Sequence, residues 1–161
     1  MSAGEVARGR VERRLAELGI ELPPMSESVG NYEKAVLSGN LLFLSGQGPR
    51  KPGAYLYRGK VGHDYTLEEG YEAARFTALA LLATARAVLG DLDRVRRVVK
   101  VLGFVNCTED FTDQPKVING ASDLLVQVFG DRGRHARSAI GAQQLPGGIP
   151  VEIEMILEVE G

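Results

Sequence analysis

Residues 151–160 constrain the fold of this chain more tightly than any other stretch. Val151, Ile153, Met155, Leu157 and Val159 alternate with Glu152, Glu154, Glu158 and Glu160, and Ile156 is the one interruption. A period of two with one apolar and one charged face is the pattern of a half-buried strand. Leu145-Pro146-Gly147-Gly148 precedes it and reads as a turn, because Pro presets φ and the glycines admit positive values. Before the turn, Arg137 to Gln144 reads as a second extended run with Ser138, Ala139, Gly141 and Ala142 near its start. Small side chains leave a strand surface low enough for a ligand to approach. An Arg above such a floor can grip a carboxylate through two parallel hydrogen bonds. A surface Arg at the mouth of an edge strand fits the same spacing.

The remaining elements follow from their punctuation. Val6, Val11, Leu15 and Leu18 predict an amphipathic helix over about Gly4 to Leu18, stopped by Gly19 and Pro23-Pro24. Tyr32 to Leu37 and Leu41 to Ser45 read as strands joined by Ser38-Gly39-Asn40. The second runs into Ser45-Gly46-Gln47-Gly48-Pro49, either a ligand-side loop or a plain polar turn. A short strand is expected over Tyr55 to Val61, and His63-Asp64 reads as solvated loop. Thr66 and Glu69 form a capping box for a long helix that ends at Gly90. Its many alanines predict close packing on a sheet. Val95 to Cys107 reads as a central strand whose basic entrance, Arg94 to Val98, is solvated. Asp113 is the expected N-cap of a further helix, with Pro115 in its first turn and Asn119 one turn inside.

Helices and strands in this order predict an α+β sandwich, with helices on one face of a mixed sheet and a second copy of the chain over the other. The 161 residues are expected to form one domain, with 1–28 as a helical extension and 30–160 as the core. No apolar run reaches membrane-spanning length and no apolar signal core opens the chain, so a cytoplasmic location is expected. A net charge of −2 and 6% aromatic residues argue against a nucleic-acid-binding surface. Two histidines and one cysteine offer no metal-ligand spacing, and Cys107 reads as packing rather than nucleophile.

Several pieces, in order, resemble the reactive-intermediate deaminase (Rid, YjgF-like) family, formerly labelled endoribonuclease L-PSP. They are Gly30-Asn31-Tyr32, Leu44-Ser45-Gly46-Gln47, Val101 to Val105, Asp110-Phe111, Asn119, and Arg137-Ser138 through Leu145-Pro146 to Val151-Glu152-Ile153-Glu154. The N-terminal helix and the Phe111 to Val117 stretch resemble a less characterised subgroup. The resemblance implies a chorismate-mutase-like fold assembled as a trimeric barrel with clefts between subunits. It also implies cofactor-free hydrolysis of enamines or imines such as 2-aminoacrylate to 2-keto acids and ammonium. By position, Arg137 would bind the substrate carboxylate and Glu152 would position or activate water. Tyr32, Gly46, Asn119 and Ala139 would line the cleft. At Ala139 similar proteins often carry Cys, and at Asn31 a Pro, so the thiol's role is absent here. A non-catalytic trimer binding small carboxylates is the second expectation, and an endoribonuclease or translation inhibitor the third. If Arg137 and Glu152 belong to a hairpin around Pro146-Gly147, they share a face about 13 Å apart. A slip of one residue would put them on opposite faces.

Overall fold

The structure, a computed structural model, describes residues 9–51, 54–55 and 57–161. The segment around residues 4–8 of the expected first helix lies outside the described residues. What is described of that helix is α1, Arg10–Glu17. Its first turn is held by a residue far along the chain: Asp93 accepts from the backbone N–H groups of Arg10 (2.7 Å) and Val11 (2.8 Å). That satisfies two of the donors a helix start leaves orphaned. Val11 and Leu15 are buried, and Gly19, at φ 66°, turns the chain out of the helix.

Strands β1 (Ala35–Ser38) and β2 (Leu41–Gln47) form the expected hairpin, with Gly39 at φ 61° in a two-residue turn. β3 (Arg50–Lys51) and β4 (Ala54–Tyr55) make a separate two-stranded ribbon. Of the expected strand over Tyr55 to Val61, residue 56 lies outside the described residues, and over 57–61 only isolated bridges from Val61 to Tyr65 and to Cys107 are formed. The helix α2 (Leu67–Leu89) begins with the capping box, Glu69 N–H to Thr66 Oγ1 at 3.1 Å and Thr66 N–H to Glu69 Oε2 at 2.8 Å. β5 (Val95–Asn106) leads into α3 (Gln114–Phe129), then β6 (Ala136–Ala142) and β7 (Val151–Val159). Asp113 occupies the N-cap position of α3, but its side chain makes no capping bond. It lies 3.3 Å from Lys116 Nζ instead.

The five main strands run in the order β1-β2-β7-β5-β6. β7 is antiparallel to both its neighbours, while β6 is parallel to β5. A parallel partner requires a long crossover, and α3 is that crossover. β6 and β7 therefore do not form the hairpin read from the Pro-Gly turn; β5 stands between them. α2 and α3 cover one face, where Val98, Val101, Val105, Ile153, Met155 and Leu157 are almost fully buried. The helices themselves touch closely: a Cβ on Gly120 would sit 2.0 Å from the Tyr71 carbonyl oxygen. The opposite face carries Val36, Phe43 and Ile140, each about half exposed. The architecture is thus the mixed sheet with helices on one face that the sequence predicts. No helix among the described residues is long and apolar enough to cross a membrane.

One irregularity shapes the outer part of β2. Leu44 pairs with Met155 and Gln47 with Ile153, so three steps on β2 match two on β7. The extra residue is a β-bulge. Leu44 and Gln47 consequently both face the helices, and buried Gln47 donates from Nε2 to Thr84 Oγ1 at 2.9 Å.

Candidate active site

The residues proposed from sequence fall into two groups on opposite faces of the sheet. The first group is on the open face near the β2 bulge. Tyr32, Gly46 and Glu152 line one cavity of about 210 Å³, together with Pro146 and Ile149. Gly46 is needed for close approach here, since a Cβ would lie 3.3 Å from the Glu152 carboxyl carbon. Glu152 is half-buried, and burial raises its carboxyl above the ordinary value of 4.5. The negative charge of Glu154, two residues along the same face, pushes in the same direction. A carboxylate with a raised pKa takes a proton from water more readily near neutral pH.

The second group sits where edge strand β6 meets α3. Arg137 pairs in register with Val101, which pairs with buried Met155, so its side chain is on the helix-covered face. Its Nη1 donates to Asn119 Oδ1 at 2.8 Å and to Ser122 Oγ at 3.1 Å; its Nη2 donates to the Pro115 carbonyl at 3.3 Å. All three acceptors are uncharged, and among the described residues no carboxylate pairs with this guanidinium. Of the five guanidinium N–H groups, the three bonds leave Nε–H and one Nη2–H for a ligand. That pair matches the two oxygens of a carboxylate. Ala139, one step along the same face, is partly buried against the core beside Gly103. It forms floor and offers no functional group. The chain's thiol is elsewhere: Cys107 Sγ accepts from Gln114 Nε2 at 3.5 Å, where a Cβ on Gly141 would approach it to 3.2 Å.

Glu152 lies in register with Phe104 and Ile140, on the face opposite to Arg137. Two strand spacings and three residues of rise separate their backbones by about 14 Å, on opposite sides of the sheet. One chain therefore cannot bring both to one small ligand, and the shared-face arrangement expected from a hairpin is corrected by the intervening β5.

The surroundings of Arg137 include two residues the sequence did not single out. Ser122 is one turn after Asn119, on the same helix face. His135 is two residues before Arg137 on β6's approach. Its Nδ1 lies 2.6 Å from the Gly133 carbonyl and its Nε2 lies 2.9 Å from Ser122 Oγ. Burial lowers the His135 pKa below 6.5, the Arg137 charge adds to that, and the Gly133 carbonyl opposes it. A third residue that was missed is Lys60, whose ammonium donates to Asn106 Oδ1 at 2.7 Å and to the Gln143 carbonyl. The His63-Asp64 pair is exposed loop with 4.0 Å between ring and carboxylate, as read from the sequence.

Comparison with known proteins bears on the family and the fold. The pattern of the family described as "YjgF/chorismate_mutase-like, putative endoribonuclease" matches residues 12–149, which takes in every proposed site residue except Glu152. Protein TCP17 of Trypanosoma cruzi is 47% identical over 155 residues, covering 96% of this chain and 97% of its own length. A solved structure of a protein of unknown function from Agrobacterium tumefaciens has 43% identity and a TM-score of 0.87, covering 94% of this chain and 93% of that one. RidA from an Antarctic Psychrobacter has 26% identity and a TM-score of 0.59, covering 84% and 94%.

Proposed function

The chain belongs to the YjgF/chorismate mutase-like family, and from that premise we propose that it hydrolyses 2-imino acids and their enamine tautomers, in sites shared between subunits of a homotrimer. The observation that carries this reading is the Arg137 guanidinium, held in place by three neutral acceptors with two donors to spare. In the proposed reaction that edge holds the substrate carboxylate. Glu152, brought by a neighbouring subunit, takes a proton from water as its oxygen bonds to the imine carbon. Glu152 gives that proton to nitrogen; as the C–N bond breaks, the new hydroxyl returns its own proton to Glu152 and becomes the carbonyl, and the departing ammonia takes that proton and leaves as ammonium. An iminium is electrophilic enough that positioning and one base suffice. The apolar side chains on the open sheet face, Val36, Phe43 and Ile140, support burial against further copies of the chain.

Subunit complementation tests the shared site. R137A and E152Q should each be inactive in 2-keto acid release from imines generated in situ. Randomly mixed trimers at equal ratio should recover about one quarter of wild-type activity, because one interface in four then unites two intact halves. No recovery from mixtures that demonstrably exchange subunits would refute it. Ala139, standing where similar proteins often carry Cys, favours a second reading in which the chain binds carboxylates without turning them over. Pyruvate would then raise thermal stability with no imine hydrolysis. The endoribonuclease label draws less support: Glu152 beside Glu154 repels a phosphodiester.

A further inference from the structure

The cluster behind Arg137 has a direction built into it. The Gly133 carbonyl can only accept, so His135 Nδ1 carries the proton in that 2.6 Å bond. In the uncharged ring Nε2 is then an acceptor, and the Ser122 hydroxyl 2.9 Å away donates to it. With its hydrogen committed to the imidazole, the Ser122 oxygen turns its lone pairs to Arg137 Nη1 at 3.1 Å. Asn119 Oδ1 takes the other Nη1 hydrogen. A serine hydroxyl facing an Arg would otherwise be a free rotor, able to aim its own hydrogen at the cation.

We infer that Ser122 and His135 are positioning residues for the carboxylate-binding guanidinium: the imidazole orients the hydroxyl, and the hydroxyl holds Arg137 with its Nε and Nη2 edge toward substrate. This rests on the reading of Arg137 given above and adds to it a relay running from backbone carbonyl to imidazole to hydroxyl to guanidinium. Each link has one donor and one acceptor, so cutting either outer link releases the same side chain. Neither residue touches the substrate in this scheme. The effect therefore falls on how well the carboxylate is held, and the bond-making steps at the imine carbon are untouched.

The experiment measures kcat and KM for a 2-imino acid, and Kd for pyruvate by calorimetry, in S122A, S122T, H135A, H135Q and R137A, with thermal melts to confirm folding. S122A and H135A should raise KM and the pyruvate Kd by about three- to tenfold, the effect of one lost hydrogen bond, with kcat within about twofold. S122T keeps the hydroxyl, and H135Q keeps an acceptor near the Nε2 position; both should stay within about threefold of wild type. Folded S122A and H135A proteins that bind pyruvate as wild type does, while R137A has lost it, would overturn the relay alone. S122T as damaged as S122A would do the same. Full pyruvate affinity in R137A would instead overturn the carboxylate-binding reading on which the relay stands.

Discussion

Replacing Glu154 by Gln should shift the pH range in which the protein works, although Glu154 is no part of the proposed chemistry. Glu152 and Glu154 project from the same face of β7, two residues and therefore about 7 Å apart. Two unit charges at that distance repel by about 0.6 kcal/mol at the dielectric of water and about 2.4 kcal/mol at an effective value of 20. Glu154 is exposed, so solvent screening holds the effect to the lower part of that range, about 0.6–1.2 kcal/mol. Repulsion raises the Glu152 pKa, so removing it lowers that pKa and keeps the base ionised to lower pH. The assay is the pH profile of kcat/KM for 2-keto acid release, whose acid limb reports the free enzyme's base. E154Q should move that limb to lower pH, by less at high salt, and leave the plateau unchanged. E158Q, about 20 Å from Glu152 along the strand, should leave the limb where it is. A limb that stays put in E154Q, or moves up, would show that Glu152 is not the titrating base.

Four further outcomes follow from the same geometry. E152Q should melt at a higher temperature than wild type at neutral pH. A raised folded pKa means that stability from protonated Glu152 is present below about 4.5 and lost as pH rises, so the difference should vanish in acid. The same variant should lose about 10²- to 10⁴-fold in kcat, as expected for a removed general base. R137K should lose about ten- to a hundredfold in kcat/KM, because an ammonium cannot keep three cradle bonds and also offer a paired edge. G120A should lose about 1–3 kcal/mol in urea melts, since the added methyl meets the Tyr71 carbonyl and forces α2 from α3.

The elements that could be read from sequence are those whose signals are local. The Thr66 capping box, the alternation along β7 and the glycine stops at Gly90 and Gly130 all set structure within a few residues. Strand order is a different kind of quantity. Pro146 and Gly147 do make a turn, with Gly147 at φ 68°, but a turn does not decide which strands pair across it. The 29 residues from 107 to 135, with α3 inside them, are the longer connection that a parallel β5-β6 pair demands. That clue was present in the chain and outranks the turn. Asn119 was found through its resemblance to a cleft residue, whereas Ser122, one turn on, carried a signal only once Arg137 was known to face α3.

The bulge in β2 limits how this chain can change length. Deleting Ser45 would restore an even ladder against β7, with Gln47 still opposite Ile153 and seated beside Thr84. What it would remove is the tie to the segment before β1, the Ser45 N–H to the Lys34 carbonyl at 2.9 Å and the Ser45 hydroxyl to the Glu33 carbonyl at 2.6 Å. A change of length is borne more easily at the Gly39 tip, where the chain is open to solvent, than at the bulge that holds the segment leading into β1.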